Sequence, residues 1–151
     1  MIAAVDFFAL FSGAHKACGL VIDPFGNVTK QFTGTLRAQT TQDTCNLHEE
    51  FLFDDGNLYT RDWVISRTSD QTYTATAFDV VGRASAITTG NTVRWDYKQR
   101  LAIGKSGLLI GVTDYMVFMP NGVTLGYTKL RKFGLPVGKL ITSFQRQSPV
   151  L

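Results

Sequence analysis

Cysteine, proline and histidine are all scarce: the 151 residues hold two, four and two of them. Cys18 and Cys45 are too few for a disulfide framework and neither lies in a C-x-x-C pair, so both read as small strand residues of a reducing compartment. So little proline excludes a Pro-rich linker. Charged residues make up only 18% of the chain, and the net charge of +3 comes from scattered cations whose densest group is Lys129, Arg131 and Lys132. That is too thin for a nucleic-acid footprint, so no nucleic-acid partner is expected. No apolar run approaches the roughly 20 residues of a membrane-spanning helix.

What is abundant favours strands. Thr, Val and Ile number 18, 12 and 7, and 18 residues are aromatic. β-Branched and aromatic side chains suit a pleated, half-buried surface. A hydrophobic fraction of 44% excludes disorder and supplies one core, so residues 1–151 are expected to form a single all-β domain. Fourteen glycines point to tight turns and bulges.

Residues 1–13 are apolar but do not read as an export signal: no Lys or Arg precedes the apolar stretch, Asp6 interrupts it, and no small-residue cleavage site is clear. A cytoplasmic protein, or a periplasmic or envelope one whose export signal has been removed, is the expectation. Asp6 or Ser12 with Phe7, Phe8, Leu10 and Phe11 reads as a short helix whose aromatic face covers something apolar. The alternative is peripheral association of that face with a membrane surface, against which stands the lack of flanking basic residues.

From residue 15 onward strand-like runs alternate with turn chemistry. They cover residues 15–23, 28–38, 44–54, 58–67, 72–79, 83–89, 92–103, 108–119, 123–130 and 137–147. Asp55-Gly56-Asn57, Gly90-Asn91 and Pro120-Asn121-Gly122 are hairpin signals. About ten strands joined by short loops run antiparallel to their neighbours, as an up-and-down meander. A flat meander would leave two long hydrophobic edges, and closure removes them. The expected architecture is a lipocalin-like (calycin) barrel with a short helix plugging one end. A β-sandwich is the alternative, but its Greek-key crossovers usually need a longer connection than any visible here.

Strand alternation then divides the side chains between two faces. One set holds Leu47, Glu49, Phe51 and Phe53, and the next Tyr59, Arg61, Trp63 and Ile65. Tyr73, Ala75, Ala77 and Asp79 share a parity, as do Val93, Trp95 and Tyr97, and Ile110, Val112, Asp114, Met116 and Phe118. These mostly apolar faces are the expected interior. Glu49, Arg61, Asp79 and Asp114 are its odd members, because unpaired charges inside a small barrel are costly. Arg61 is the natural hub, since its forked donors can serve two carboxylates. Two readings stay open: a polar anchor for the head group of an apolar ligand, or an ion-pair network near one rim that binds nothing. Bulges at Gly19, Gly34 or Gly111 would turn some of these residues outward.

Other constellations carry less. His15 and His48 lie on different strands, and His48 has the parity opposite to Phe51, so neither a metal nor a haem site is expected. Glu49-Glu50 and Asp54-Asp55 point to opposite strand faces and cannot form working carboxylate pairs. Gly104-Lys105-Ser106-Gly107 lacks the earlier glycine and following helix of a phosphate loop and reads as a turn. Arg94-Trp95-Asp96-Tyr97-Lys98 interleaves aromatics with cations, but the acid within it argues against a base-stacking platform. No G-x-S-x-G occurs, and no Ser, His or Asp shows a nucleophile context, so binding without catalysis or cofactor is the expected mode.

Several phrases occur together: Phe51-Leu52-Phe53-Asp54-Asp55-Gly56, Arg61-Asp62-Trp63, Asp79-Val80-Val81-Gly82-Arg83-Ala84, Gly90-Asn91 with Arg94-Trp95 and Tyr97, Asp114-Tyr115-Met116 with Met119, and Lys132-Phe133-Gly134. In this combination the chain resembles the bacterial family known as domain of unknown function 3833, from about Phe7 to Phe144. The resemblance implies a lipocalin-type barrel and, through the lipoprotein signal that many members carry, an association with the envelope and with lipids. The present sequence shows no such signal and no lipidated cysteine, which keeps both compartments open. The matching motif positions are Glu49, Arg61, Trp63, Asp79, Trp95, Asp114 and Lys132, and the first six belong to the inward sets. The family supplies no catalytic residues to carry over.

The expected function is binding of a hydrophobic or amphipathic small molecule, such as a fatty acid or modified lipid. Phe51, Phe53, Trp63, Trp95, Met116 and Phe118 would form the apolar wall, Tyr97 is a further candidate contact, and Arg61 with Glu49, Asp79 and Asp114 would fix or gate the polar end. The alternatives are an enzyme acting on such a lipid, with Asp79 or Asp114 as acid or base, and a filled barrel serving as a structural or interaction module.

Overall fold

The computed structural model describes residues 4–101 and 107–148. One short helix, α1 (Phe7–Phe11), precedes ten strands: β1 (Gly13–Ile22), β2 (Val28–Thr40), β3 (Thr44–Phe53), β4 (Leu58–Arg67), β5 (Thr72–Thr76), β6 (Ala84–Thr89), β7 (Thr92–Leu101), β8 (Leu108–Phe118), β9 (Val123–Lys132) and β10 (Leu135–Arg146). Each strand pairs antiparallel with its neighbours in sequence, and β1 pairs with β10 to close the barrel. Closure excludes the sandwich and leaves no free edge.

Turn chemistry sets the hairpins. Gly26, Gly56, Gly90, Gly122 and Gly134 all hold positive φ at the connections, where a Cβ would be strained. The expected bulges at Gly19, Gly34 and Gly111 do not form, and the register steps instead at Val21/Ile22 and at Pro136/Gly138. Gly19 and Gly34 serve a different purpose. A Cβ at Gly34 would lie 2.5 Å from the Phe51 ring, and one at Gly19 would collide with the Phe32 ring and sit 2.6 Å from the Ile141 carbonyl. The missing side chains are the space in which two aromatic rings lie against the wall.

Most strand ends fall within two residues of expectation, and three places bear on the site. The run 72–79 ends at Thr76, so Asp79 lies in a turn; its segment is returned to the wall by the Val80 to Gln99 bridge and by the Arg100 amide donating to the Asp79 carbonyl at 2.8 Å. β9 and β10 run on to a two-residue turn at Phe133-Gly134. β7 is described to Leu101, so the expected strand residues 102–103 and most of the turn at 104–107 lie outside the described residues.

The helix closes one end. Asp6 caps it, accepting from the Phe8 and Ala9 amides at 3.1 and 3.4 Å and from Arg67 at 3.0 Å. Arg146 donates to the Ala9 and Leu10 carbonyls at its other end. Phe7, Phe8 and Phe11 are buried: Phe7 packs on Tyr73 and Trp95 at centroid distances of 5.5 and 5.9 Å, and Phe11 stacks on His15 at 4.4 Å. The aromatic face is therefore the plug of the barrel, and the alternative of a membrane-surface anchor built on this helix is overturned. Tyr73, Ala75, Ala84, Val93 and Ile65 complete the core beneath it.

Candidate functional site

The inward sets read from alternation are inward in the structure. Leu47, Glu49, Trp63, Ile65, Trp95, Ile110, Val112 and Met116 are buried, with Phe51, Phe53, Tyr59, Arg61, Tyr97, Asp114 and Phe118 partly so. Above the plug these side chains enclose two spaces. The larger, about 600 Å³, opens at the end opposite the helix and is walled by Phe32, Phe51, Phe53, Ile110, Val112, Leu130 and Leu140. The smaller, about 60 Å³, lies deeper against Phe7, Phe11, Trp63, Trp95 and Met116. Glu49, Arg61, Tyr97, Asp114 and Phe144 line both, so the polar groups form the partition between them.

Register builds that partition. Glu49 on β3 lies directly opposite Arg61 on β4, and Leu47 opposite Trp63. Arg61 Nε and Trp63 Nε1 both donate to Glu49 Oε1, at 3.0 and 2.7 Å. Arg61 Nη1 reaches Asp79 Oδ1 at 3.5 Å, while the Tyr59 hydroxyl and Gln99 Nε2, the latter at 3.0 Å, donate to Asp79 Oδ2. The guanidinium also lies 4.4 Å from the Trp63 ring centroid and 5.4 and 5.9 Å from those of Tyr59 and Tyr97. Two carboxylates thus share one cation whose remaining faces are aromatic.

Asp114 is set apart from this network. It faces the cavity from β8, opposite Thr128 on β9, whose hydroxyl donates to Asp114 Oδ1 at 2.8 Å. Burial raises its pKa to about 7; Glu49 adds to the rise, and the Thr128 hydrogen bond and Arg61 oppose it. Burial also works against the charge on Arg61, but Glu49 and the neighbouring Tyr97, Tyr59 and Asp79 outweigh it and hold the guanidinium protonated. The Tyr97 and Tyr59 phenols are raised by burial and remain neutral. The partition therefore sets one guanidinium, tied to Glu49 and Asp79, beside two neutral phenols and an Asp114 whose burial favours its protonated form.

Nine of the eleven candidate residues line one of the two spaces. Asp79 stands behind Arg61 without lining either, and Phe118 lies under the plug, 6.4 Å from the Phe7 ring centroid. Alternation did not bring forward Phe32, Gln99, Thr128, Leu130 or Leu140. Phe32 shares its parity with Leu36 and Ala38 and Gln99 its parity with Trp95 and Tyr97, signals that were present in β2 and β7; Thr128, Leu130 and Leu140 depend on which strand lies beside which. His48 is outside, as its parity required, where it meets Asp62 at 2.6 Å and Glu50 at 3.2 Å. Among the described residues no cluster of three or more His, Cys, Asp or Glu could hold a metal ion.

The fold has solved counterparts. The S-type phycobiliprotein lyase CPES from Guillardia theta superposes with a TM-score of 0.72 at 6% identity, over 95% of this chain and 92% of that one. A redesigned β-barrel, mFAP1, solved with DFHBI bound, gives 0.50 at 12% identity over 94% of this chain and all (100%) of that one. At such identities the likeness is one of fold. Among curated proteins nothing matches the chain. A family model described as "Protein of unknown function (DUF3833)" matches residues 3–146.

Proposed function

The chain belongs to the DUF3833 family, and from that premise and the shape of its interior we propose that it is a binding protein for an amphipathic small molecule carrying an apolar chain or ring system. The observation that carries this reading is the cavity of about 600 Å³, open at one end, apolar along its wall and polar at its floor. Ligand pockets of this kind combine extensive apolar contact with a few placed polar groups. The barrel mFAP1, similar in fold, is solved with the small molecule DFHBI bound, and the proposal extends small-molecule binding by such a barrel to this chain. The filled-barrel alternative suits only the half beneath the partition, where the helix occupies the space.

The floor also selects the ligand's polar group. Arg61 is already shared by Glu49 and Asp79, so the floor carries a net negative charge, greater once Asp114 ionises. A carboxylate pressed against it would meet repulsion. A hydroxyl, amide or amine would instead find acceptors. A free fatty acid would fit with its tail inward and its carboxylate at the mouth, where Lys30, held by Asp55 only through an exposed and readily exchanged ion pair, lines the cavity. Competition between a neutral naphthylamine probe and cis-parinaric acid tests this: the neutral probe should respond to Asp114→Asn and the fatty acid to Lys30→Ala. Indifference of both probes to both substitutions would refute the assignment of the floor.

One observation favours a second reading. Asp114 faces the cavity with a pKa near operating pH, the condition for general acid or base catalysis, whereas Asp79 is committed to Tyr59, Gln99 and Arg61. An enzyme would show turnover of a bound lipid that Asp114→Asn abolishes and Asp79 reaches only through Arg61.

A further inference from the structure

The two ends of the barrel differ in what their connections expose. At the plugged end the links are Thr41-Gln42-Asp43, Thr68-Ser69-Asp70-Gln71, Gly90-Asn91 and Met119-Pro120-Asn121-Gly122, polar apart from Met119 and Pro120. At the open end, three separate connections place a phenylalanine in solvent: Phe25 is 88% exposed, Phe78 78% and Phe133 92%. Leu135, beside Phe133, and Leu58, beside the 54–57 turn at the same end, are 68% and 64% exposed. Phe133 is also the one described non-glycine residue with positive φ, at 51°. That conformation is disfavoured for a bulky side chain, and Asn or Asp would ordinarily occupy it. A residue held there against its preference, with its ring in water, is a candidate for a functional contact.

The charges follow the same asymmetry. Around the mouth stand Arg83, Lys98, Arg100, Arg131 and Lys132, together with Lys30. Of the acids at this end, Asp79 is turned inward onto Arg61, Asp55 is bound to Lys30 at 3.0 Å and Asp23 accepts the Phe25 and Asn27 amides of its own turn, each at 2.9 Å, which leaves Asp54. The plugged end balances Asp6, Asp43 and Asp70 against Arg37, Arg67 and Arg146. The chain's net charge of +3 is therefore concentrated at the mouth.

We propose that the mouth of the barrel docks on an anionic lipid bilayer, with Phe25, Phe78 and Phe133 entering the head-group region and the surrounding cations facing lipid phosphates. Aromatic side chains set on separate loop tips and interleaved with cations match a fluid, negatively charged interface, which accommodates scattered anchors. A protein partner would ask for a contiguous apolar patch. Docking places the cavity mouth against the bilayer, and it does not depend on which molecule the cavity holds.

Sedimentation with vesicles tests the proposal. The protein should pellet with mixed phosphatidylcholine and phosphatidylglycerol vesicles, pellet less with pure phosphatidylcholine, and be partly released by salt. Phe25→Ser, Phe78→Ser and Phe133→Ser together should lower partitioning by about tenfold or more, from the apolar area withdrawn. Arg83→Glu with Lys98→Glu, at two exposed positions, should abolish the preference for the anionic vesicles. Leu10→Ser, at the plugged end, should change nothing. Three results would overturn the proposal: a wild-type protein that stays in the supernatant, a triple variant that binds as the wild type does, or a wild-type dimer that the triple variant dissolves, which would make the rim an interface between copies of this chain. Retention of ligand by the triple variant would separate loss of docking from failure of the cavity reading.

Discussion

Glu49 and Arg61 lie directly opposite each other on β3 and β4, joined at 3.0 Å, and the same Glu49 oxygen accepts from the Trp63 indole at 2.7 Å. One carboxylate atom thereby fixes both the guanidinium and the aromatic plane beneath it, and Arg61 passes the tie on to Asp79. Removing the cation would leave two nearly buried carboxylates without compensation. Arg61→Met is therefore expected to cost about 3–5 kcal/mol at neutral pH. Urea unfolding should show the loss, and the deficit should shrink in acid as the stranded carboxylates take up protons. A cost below about 1 kcal/mol, as for an exposed pair, would mean the network is solvated.

Most of this network was legible in the sequence through period-two alternation, which placed Glu49, Arg61, Trp63, Tyr97 and Asp114 on inward faces that the structure confirms as inward. Three features were not. Asp79 kept its inward direction although its strand stopped at Thr76, because the Val80 to Gln99 bridge returns the turn to the wall. The Thr128 partner of Asp114 depends on the register of β8 against β9, which no local signal sets. Gly19 and Gly34 suggested bulges, yet their purpose is to admit rings from neighbouring strands, a contact visible only after pairing.

Asp114 and His15 should pull the pH dependence of stability in opposite directions. Asp114 has its folded pKa raised to about 7 from 3.8, chiefly by burial, so the folded state holds the extra proton between those values. Stability from this group falls as pH rises from about 4 to 7 and is level above. Burial lowers the His15 pKa to about 4 from 6.5, with Arg146 adding to the fall, so His15 makes stability fall as pH drops through that window. The wild-type profile should be nearly flat there. Asp114→Asn should be the more stable protein at pH 8, by an amount on the order of 2–4 kcal/mol, and should show the acid loss uncovered. His15→Leu should show the opposite slope. Equal slopes in both variants would remove these two groups as its source.

The plug should be stabilising in proportion to its aromatic contacts. Phe7 touches Phe11, Tyr73 and Trp95 and is almost fully buried. Phe7→Ala should cost about 3–5 kcal/mol, read by thermal or chemical unfolding. Leu10→Ala, on the exposed side of the same helix, should cost under about 0.5 kcal/mol.

The central claim is that the cavity above Arg61 holds an amphipathic molecule. Native mass spectrometry of the protein purified from cells tests it most directly, with Val112→Trp as the comparison, since Val112 lines the cavity and a tryptophan there would protrude into it beside the polar floor. The expected result is a mass above that of the chain, lost on denaturation and absent or much reduced in a folded Val112→Trp protein. A wild-type protein that carries the chain mass alone and takes up neither neutral nor fatty-acid probes, or an adduct that survives unchanged in the obstructed variant, would contradict it.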